Sequence, residues 1–333
     1  MYPNGRYAYG FNLLLSQTLK FKRMKIRPKK STHLKRAIVF LSFGFTILLS
    51  SCYGDGIDPD PEVETLISNF AANGAVSVDR QGTIYVSEYG RFVETGGSGT
   101  RVFKLSPHGK VLDTITGLSG PMGTAKDSKG NLFINNDNNT VRGQVLKISP
   151  NKEREVIASI EGWPSSMAID YEDNLYISNY TAPTVHKITP DGTVSVYAED
   201  PRLLGGVGID LDSKGNVIVA NFYTATIYSI DKNGEVSLIA NIPDIVIQNF
   251  GIGYITVIND VIYATGIAVN YIYSVSMDGT IETIAGNGEA AQVDGPLLEA
   301  SFSNPNGIAA NKFRKTLYIS EYTGVGGVRK IKL

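Results

Sequence analysis

One pattern of polar and apolar positions comes round six times along the chain: an Asp-x-x-Gly turn, then Asn-Leu-Tyr or a close equivalent, an apolar residue, and a small or polar one. The copies read DRQGTIYVSE (79–88), DSKGNLFINN (127–136), DYEDNLYISN (170–179), DSKGNVIVAN (within 210–221, after an extra Leu-Asp), VINDVIYATG (257–266) and NKFRKTLYISE (311–321). With Asp79, Asp127, Asp170 and Asp210 as anchors, the first four copies lie 48, 43 and 40 positions apart. Short strands repeating at roughly 40–50 residues predict a β-propeller, one blade per copy.

Each copy continues in the same order. A third strand follows at 102–105, 145–148, 185–188, 227–230, 272–275 and 328–331, with apolar residues on either side of a polar one, as half-buried strands require. Five of these run into turns (SPHG, SPNK, TPDG, DKNG, SMDG) whose Pro, Asp and Gly suit tight hairpins. A fourth, outer strand comes next. Six blades then have only five outer strands, because the chain stops at Leu333 after the third strand of the last blade. The segment 63–70, VETLISNF, has the outer-strand pattern and no blade of its own. The expected fold is therefore all-β: a six-bladed propeller of four-stranded antiparallel blades over 63–333, its ring closed by an N-terminal strand at 63–70 that completes the last blade. The longest connection, 285–309, crosses the seam between blades five and six, and its segment 296–302 suits a single helical turn.

Composition changes the picture at the N-terminus. Residues 1–51 hold ten Lys or Arg and no Asp or Glu. Within them a basic stretch (24–36) precedes a 13-residue apolar run (37–49), too short for a bilayer span of about 20 residues but suited to a secretory signal. The run ends in Leu49-Ser50-Ser51-Cys52, which resembles the lipobox of bacterial lipoproteins, where the cysteine is lipidated and heads the mature chain. The expectation is a leader over 1–51 with its start at Met24, lipidation at Cys52, a polar tether over 52–62, and a location in the bacterial cell envelope, periplasmic or cell-surface. Cys52 is the only cysteine, so no disulfide forms within the chain. With ten of the 31 basic residues in the leader, 21 remain against 32 acidic ones, a net −11 over 52–333. Such a domain repels phosphate backbones, which excludes nucleic acid as a partner and leaves membrane contact to the lipid anchor alone.

The stretch TIAGNGEAAQVDGPLLEASFSNPNGIAAN, followed by LYISEY and VRKIKL, resembles the NHL repeat, with its Ala-Gly, Asp-Gly, Ala-x-Phe, Pro-x-Gly-Ile-Ala and Arg-Lys-Ile elements. The likeness is closest over 283–333 and stays in register from Phe70 onward. At superfamily level the chain is similar to the gluconolactonase and senescence-marker-protein propellers, which implies the six-bladed fold; one such scaffold hosts many functions. The resemblance to gluconolactonases would imply a divalent metal held at the channel mouth by Glu, Asn and Asp. Pro305-Asn306-Gly307 matches one of those motifs, whereas Pro164-Ser165-Ser166 stands where Pro-Asp-Gly is expected, leaving that triad incomplete. The three histidines, His33, His108 and His186, fall in the leader, a hairpin turn and a third strand, so they offer no zinc cluster.

In this architecture the loops leading into each first strand and those leaving each second strand share one mouth of the central channel, the default place for a ligand. The lead-in positions are Asn73 or Gly74, Met122, Ser165, Gly205, Asn249 or Ile252, and Asn306; the exit positions are Glu88, Asn136, Asn179, Asn221, Gly266 and Glu321. Glu88 and Glu321 sit in the matching contexts YVSEY and YISEY of two blades adjacent across the seam. With Asn73 and Asn306 they could form a hard-oxygen pocket for Ca²⁺ or Mg²⁺. They could instead share a proton for acid–base chemistry, or accept backbone N–H groups as strand caps, as the asparagines of the other blades do. Trp163 suits stacking on a sugar ring or loop contact, and Tyr89, Tyr180, Phe222, Tyr223 and Tyr322 add aromatics beyond the exit positions. The Asp-x-x-Gly turns lack the ligand alternation of Ca²⁺ loops.

Three functions follow, the third a pure scaffold whose edges and flat faces bind other envelope proteins. The first is a non-catalytic propeller of the cell envelope that binds a small molecule, glycan, peptide or envelope protein at the mouth through Asn73, Asn136, Trp163, Asn179, Asn221, Asn306, Tyr89 and Tyr322. The second is a metal-dependent lactonase or esterase in which Glu88, Glu321 and Asn306 hold one divalent ion that polarises an ester carbonyl.

Overall fold

The computed structural model describes residues 61–333 apart from 94–95, 139–140, 243–244, 249 and 324–325; the leader, Cys52, most of the tether and Asn249 lie outside the described residues. The chain is all-β. Five sheets have four antiparallel strands in the order first, second, third, outer, as in blade three with Pro164–Ile169, Leu175–Asn179, Thr184–Ile188 and Val194–Glu199. The sixth comprises Pro305–Asn311, Thr316–Glu321 and Gly327–Lys332, completed by Glu62–Ser68. Val63 pairs with Ile331 and Ser68 with Gly327, so the N-terminal strand closes the ring as the outer-strand count predicts. Among the described residues the only helix is a short 3₁₀ segment, Pro201–Leu203. At 296–300 the N–H groups of Glu299 and Ala300 both reach Pro296 O, the single helical turn expected in the long connection.

The repeat residues explain how each blade is built. In the first hairpin, the aspartate takes backbone N–H groups two and four residues on: Asp79 from Gln81 and Thr83, Asp170 from Glu172 and Asn174. This is Asx-turn chemistry. In blade four the anchor is Asp212, which accepts from Lys214 and Asn216 N–H, and not Asp210. Asp210 instead reaches Val257 N in blade five (2.7 Å) and Lys312 Nζ in blade six (2.9 Å). The extra Leu-Asp lengthens the first strand of blade four and moves the turn two residues along.

The small polar residue next to last in five of the six copies holds neighbouring blades together. Its side chain donates to a first-strand or lead-in carbonyl of the next blade: Ser87 to Met122, Asn135 to Ser165, Ser178 to Val207, Thr265 to Asn306 and, across the seam, Ser320 to Gly74. Blade four has Ala220 at this position. Three of these hydroxyls also accept a first-strand N–H of their own blade, from Ser166, Tyr254 and Gly307, where the first strand bulges. Glycine keeps the first strands close. A Cβ on Gly307 would overlap Gly74 O and lie 2.9 Å from Val76 N of blade one; a Cβ on Gly208 would lie 2.5 Å from Ile255 N of blade five. Apolar residues are buried between sheets instead of in one central mass. Val76, Ile84, Val86 and Phe103 of blade one, for instance, pack with Ala309, Tyr318 and Val328 of blade six.

Candidate functional site

Register places the two predicted rings at the same end of the barrel: Pro164 pairs with Asn179, Gly206 with Asn221, Ile252 with Gly266 and Pro305 with Glu321. At this mouth the exit asparagines reach across to the loops that lead into the first strands. Asn136 Oδ1 accepts Ser119 N–H. Asn179 Oδ1 accepts the N–H groups of Trp163, Thr181 and Ala182, while its Nδ2 donates to Glu161 O. Asn221 makes the same kind of bridge, accepting from Tyr223 and Thr224 and donating to Arg202 O and Leu204 O. Asn73 exchanges two hydrogen bonds with the backbone of Gly90, and Asn306 Nδ2 donates to Asn73 O (2.8 Å) across the seam.

Each exit glutamate meets an arginine. Glu88 is bound by the Nε and Nη2 of Arg101 at 2.9 and 2.7 Å, the planar fork that a carboxylate fits best, and by Thr100 N–H. The Arg101 hydrogen bonds hold the Glu88 carboxyl below its ordinary range. Glu321 is fully buried: it accepts Ser303 N–H at 2.8 Å, Arg329 Nη1 at 3.2 Å and the Gln292 amide. Burial pushes the Glu321 carboxyl up, against the pull of those donors. Arg329, itself 1% exposed, also binds Ser301 O, Val293 O and Asp294 Oδ1 (2.6 Å) and lies over Phe302. The Asp-Gly, Ala-x-Phe and Arg-Lys-Ile pieces of the repeat-like stretch thus converge on one ion cluster, in which Arg329 and Glu321 are buried and Asp294 faces solvent. It fastens the 285–309 connection to blade six. Among the described residues, no group of three or more His, Cys, Asp and Glu is arranged to hold a metal ion.

What remains at the mouth is aromatic and hydroxylic. Trp163 stacks on Tyr180 (centroids 5.6 Å apart, planes at 18°) and meets Phe92 at 6.4 Å. Tyr180 meets Tyr223 at 5.2 Å and Phe222 at 5.7 Å, and Phe222 meets Phe250 at 5.4 Å. This row runs from blade one through blades three and four to blade five. Phe92, Tyr223 and Phe250 are exposed along it. Beside it Tyr89 meets Tyr322 at 6.0 Å. Below, Tyr254 on the first strand of blade five is buried in the channel, its hydroxyl approaching Ser165 of blade three; burial pushes it up to about 12. An open depression of about 420 Å³ lies at the seam between blades one and six, lined by Asn73, Glu88, Gly90 and Tyr322 among others. Sequence reasoning missed Phe92, Phe250, Tyr254 and the two arginines. Only Arg329 carried a signal, as part of the Arg-Lys-Ile motif.

No protein-family model matches the chain, and no curated protein matches it. Solved structures do. An auxiliary nutrient binding protein from Bacteroides ovatus superposes with a TM-score of 0.64 at 16% identity, over 82% of this chain and 76% of that one. A gluconolactonase from Xanthomonas campestris gives 0.61 at 12% identity, over 83% and 90%. This chain shares their six-bladed propeller fold. A virginiamycin B lyase from Staphylococcus aureus is similar at a TM-score of 0.56 and 14% identity, over 82% and 100%. These propellers are described variously as binding proteins, lactonases and lyases, so the fold they share leaves the chemistry of the mouth to its own residues.

Proposed function

We propose that this chain is a lipid-anchored propeller of the bacterial cell envelope that binds a neutral carbohydrate across its channel mouth without transforming it. The observation that carries the reading is the aromatic row from Phe92 through Trp163, Tyr180 and Phe222 to Phe250, with Tyr223 beside it. Flat, partly exposed rings stack on the C–H faces of sugars, and the phenol groups supply hydrogen bonds to hydroxyls. Charge supports the same ligand class. Both exit glutamates, Glu88 and Glu321, are matched by arginines, so neither offers a free carboxylate to a ligand. The lipobox-like Leu49-Ser50-Ser51-Cys52 and the polar tether support attachment to an envelope membrane.

Trp163 is the only tryptophan, so its emission reports the mouth alone. Titration with neutral oligosaccharides should give a saturable change in Trp163 emission. Calorimetry on Tyr180→Ala should show binding weakened by about tenfold or more, the ~1.4 kcal/mol expected for a lost stacking face. An unchanged spectrum with every neutral glycan would sink the reading. So would lactone hydrolysis that depends on Ca²⁺ or Mg²⁺ and is lost in Glu88→Gln. The mass of Cys52 in the native envelope protein tests the anchor separately.

A further inference from the structure

Blade one breaks a rule that its neighbours keep. In blades two, three, four and six the side chain at the exit position bonds the segment that leads into the same blade: Asn136 to Ser119, Asn179 to Trp163 and Glu161, Asn221 to Arg202 and Leu204, and Glu321 to Ser303. Blade five has Gly266 there and no side chain to offer. Glu88 shares its sequence context with Glu321, yet it turns to Thr100 and Arg101 instead, at 2.7–3.2 Å. The fork of Arg101 draws it there. Room is left between the exit position and the lead-in residues Asn69, Phe70 and Ala71, and that room is the depression of about 420 Å³ at the seam. A local rule broken in one copy of a repeat marks a place to look for function.

The lining suits one sugar. Phe70 and Tyr322 supply rings, and Asn69, exposed at the rim, supplies an amide. Among the described residues that line the depression, Glu88 is the only charged one, and Arg101 matches it, so an uncharged partner is favoured. Its volume falls within the roughly 300–1,000 Å³ of small-molecule sites. The depression is also continuous with the aromatic row. Gly90 lines it, and Phe92, two residues on, opens the row; the Phe92 N–H approaches the Tyr322 hydroxyl. Phe92 lies 6.4 Å from Trp163, and Trp163 lies 5.6 Å from Tyr180, steps comparable to the length of one pyranose unit. We propose that the seam depression is a sugar subsite that continues the row, so that the ligand is a linear neutral oligosaccharide running from the seam towards blade five. A disaccharide covers Trp163 and Tyr180, whereas a longer chain crosses Phe92 and places a unit in the depression. The proposal rests on the carbohydrate reading and adds a subsite and a chain length to it.

The test titrates the native chain and two variants with cello-, malto- and manno-oligosaccharides, from disaccharide to hexasaccharide, and follows Trp163 emission. In the native chain, affinity should rise about tenfold or more from disaccharide to hexasaccharide, as expected for a further sugar that is stacked and hydrogen-bonded. Asn69→Gly removes the amide and suits the positive φ of 53° at that position. Ala71→Leu crowds the depression from an exposed position. Both variants should lose most of the gain with chain length and bind the disaccharide as the native chain does; the unchanged disaccharide response also reports that they fold. Equal native affinity for disaccharide and hexasaccharide overturns the subsite and leaves the aromatic row as the binding face. A gain with chain length that survives intact in either variant does the same. A silent Trp163 through all three series overturns the carbohydrate reading, and the subsite with it.

Discussion

Glu88 and Glu321 occupy the same place in two copies of one repeat, yet their surroundings push them in opposite directions. Glu88 is held down by Arg101, so its folded-state pKa lies below the ordinary 4.5. Stability from that pairing is present above 4.5 and is lost as pH falls through the folded value. Glu321 is raised by burial. Its contribution is present below 4.5 and is lost as pH rises through the folded value, because the folded state then binds the extra proton. Urea unfolding across pH should therefore separate the two. Glu88→Gln should flatten the acid limb of the stability profile, and Glu321→Gln should flatten a decline on the other side of 4.5. Identical profiles for the two variants would mean that both carboxyls feel the same field, contrary to the geometry. At neutral pH Glu321→Ala should cost about 3–5 kcal/mol, since it leaves the Arg329 guanidinium buried with one partner fewer. Glu88→Ala should cost far less at its more solvated site.

The last outer strand is the element on which closure depends, and it was legible because a count of strands left one over. Val63 is fully buried and pairs with Ile331. Deleting residues 62–68 would uncover the whole edge of Gly327–Lys332, a ready template for another chain. Such a chain should self-associate on size-exclusion chromatography, whereas a stable monomer would show that some other segment covers the edge. Turn chemistry was legible for similar reasons, because an Asx turn is local; the one slip, Asp210 for Asp212, came from two inserted residues that lengthen a strand without changing its pattern. The mouth was only half legible. Asn179 and Asn221 could be placed there by register, but what they bond is set by loops with no periodicity. Tyr254 reads in sequence as one more apolar position of a strand; only ring closure puts it in the channel beside blade three. Phe92 meets Trp163 from two blades away, a contact that no local pattern encodes.

At the scale of the whole molecule, the ring makes distant parts of the chain answerable to one another. Sheet cores are shared between neighbours, side chains from five of the six blades donate to the next blade, and the first described strand pairs with the last. A linear array of repeats can fray from its ends, but a closed ring has no end from which to fray, so loss of the seam should be felt on the far side. Trp163 in blade three reports from opposite the seam in blade six. Ile331→Ala, which empties a fully buried site at the seam, should destabilise by about 2–5 kcal/mol. If the ring is one cooperative unit, the Trp163 fluorescence midpoint in urea should shift by the same amount as the far-ultraviolet circular dichroism midpoint, with the slopes unchanged. A Trp163 midpoint that stays in place while the dichroism midpoint moves would mean that blade three survives without closure. The repeat would then be the folding unit, and the seam would serve only to hide an edge.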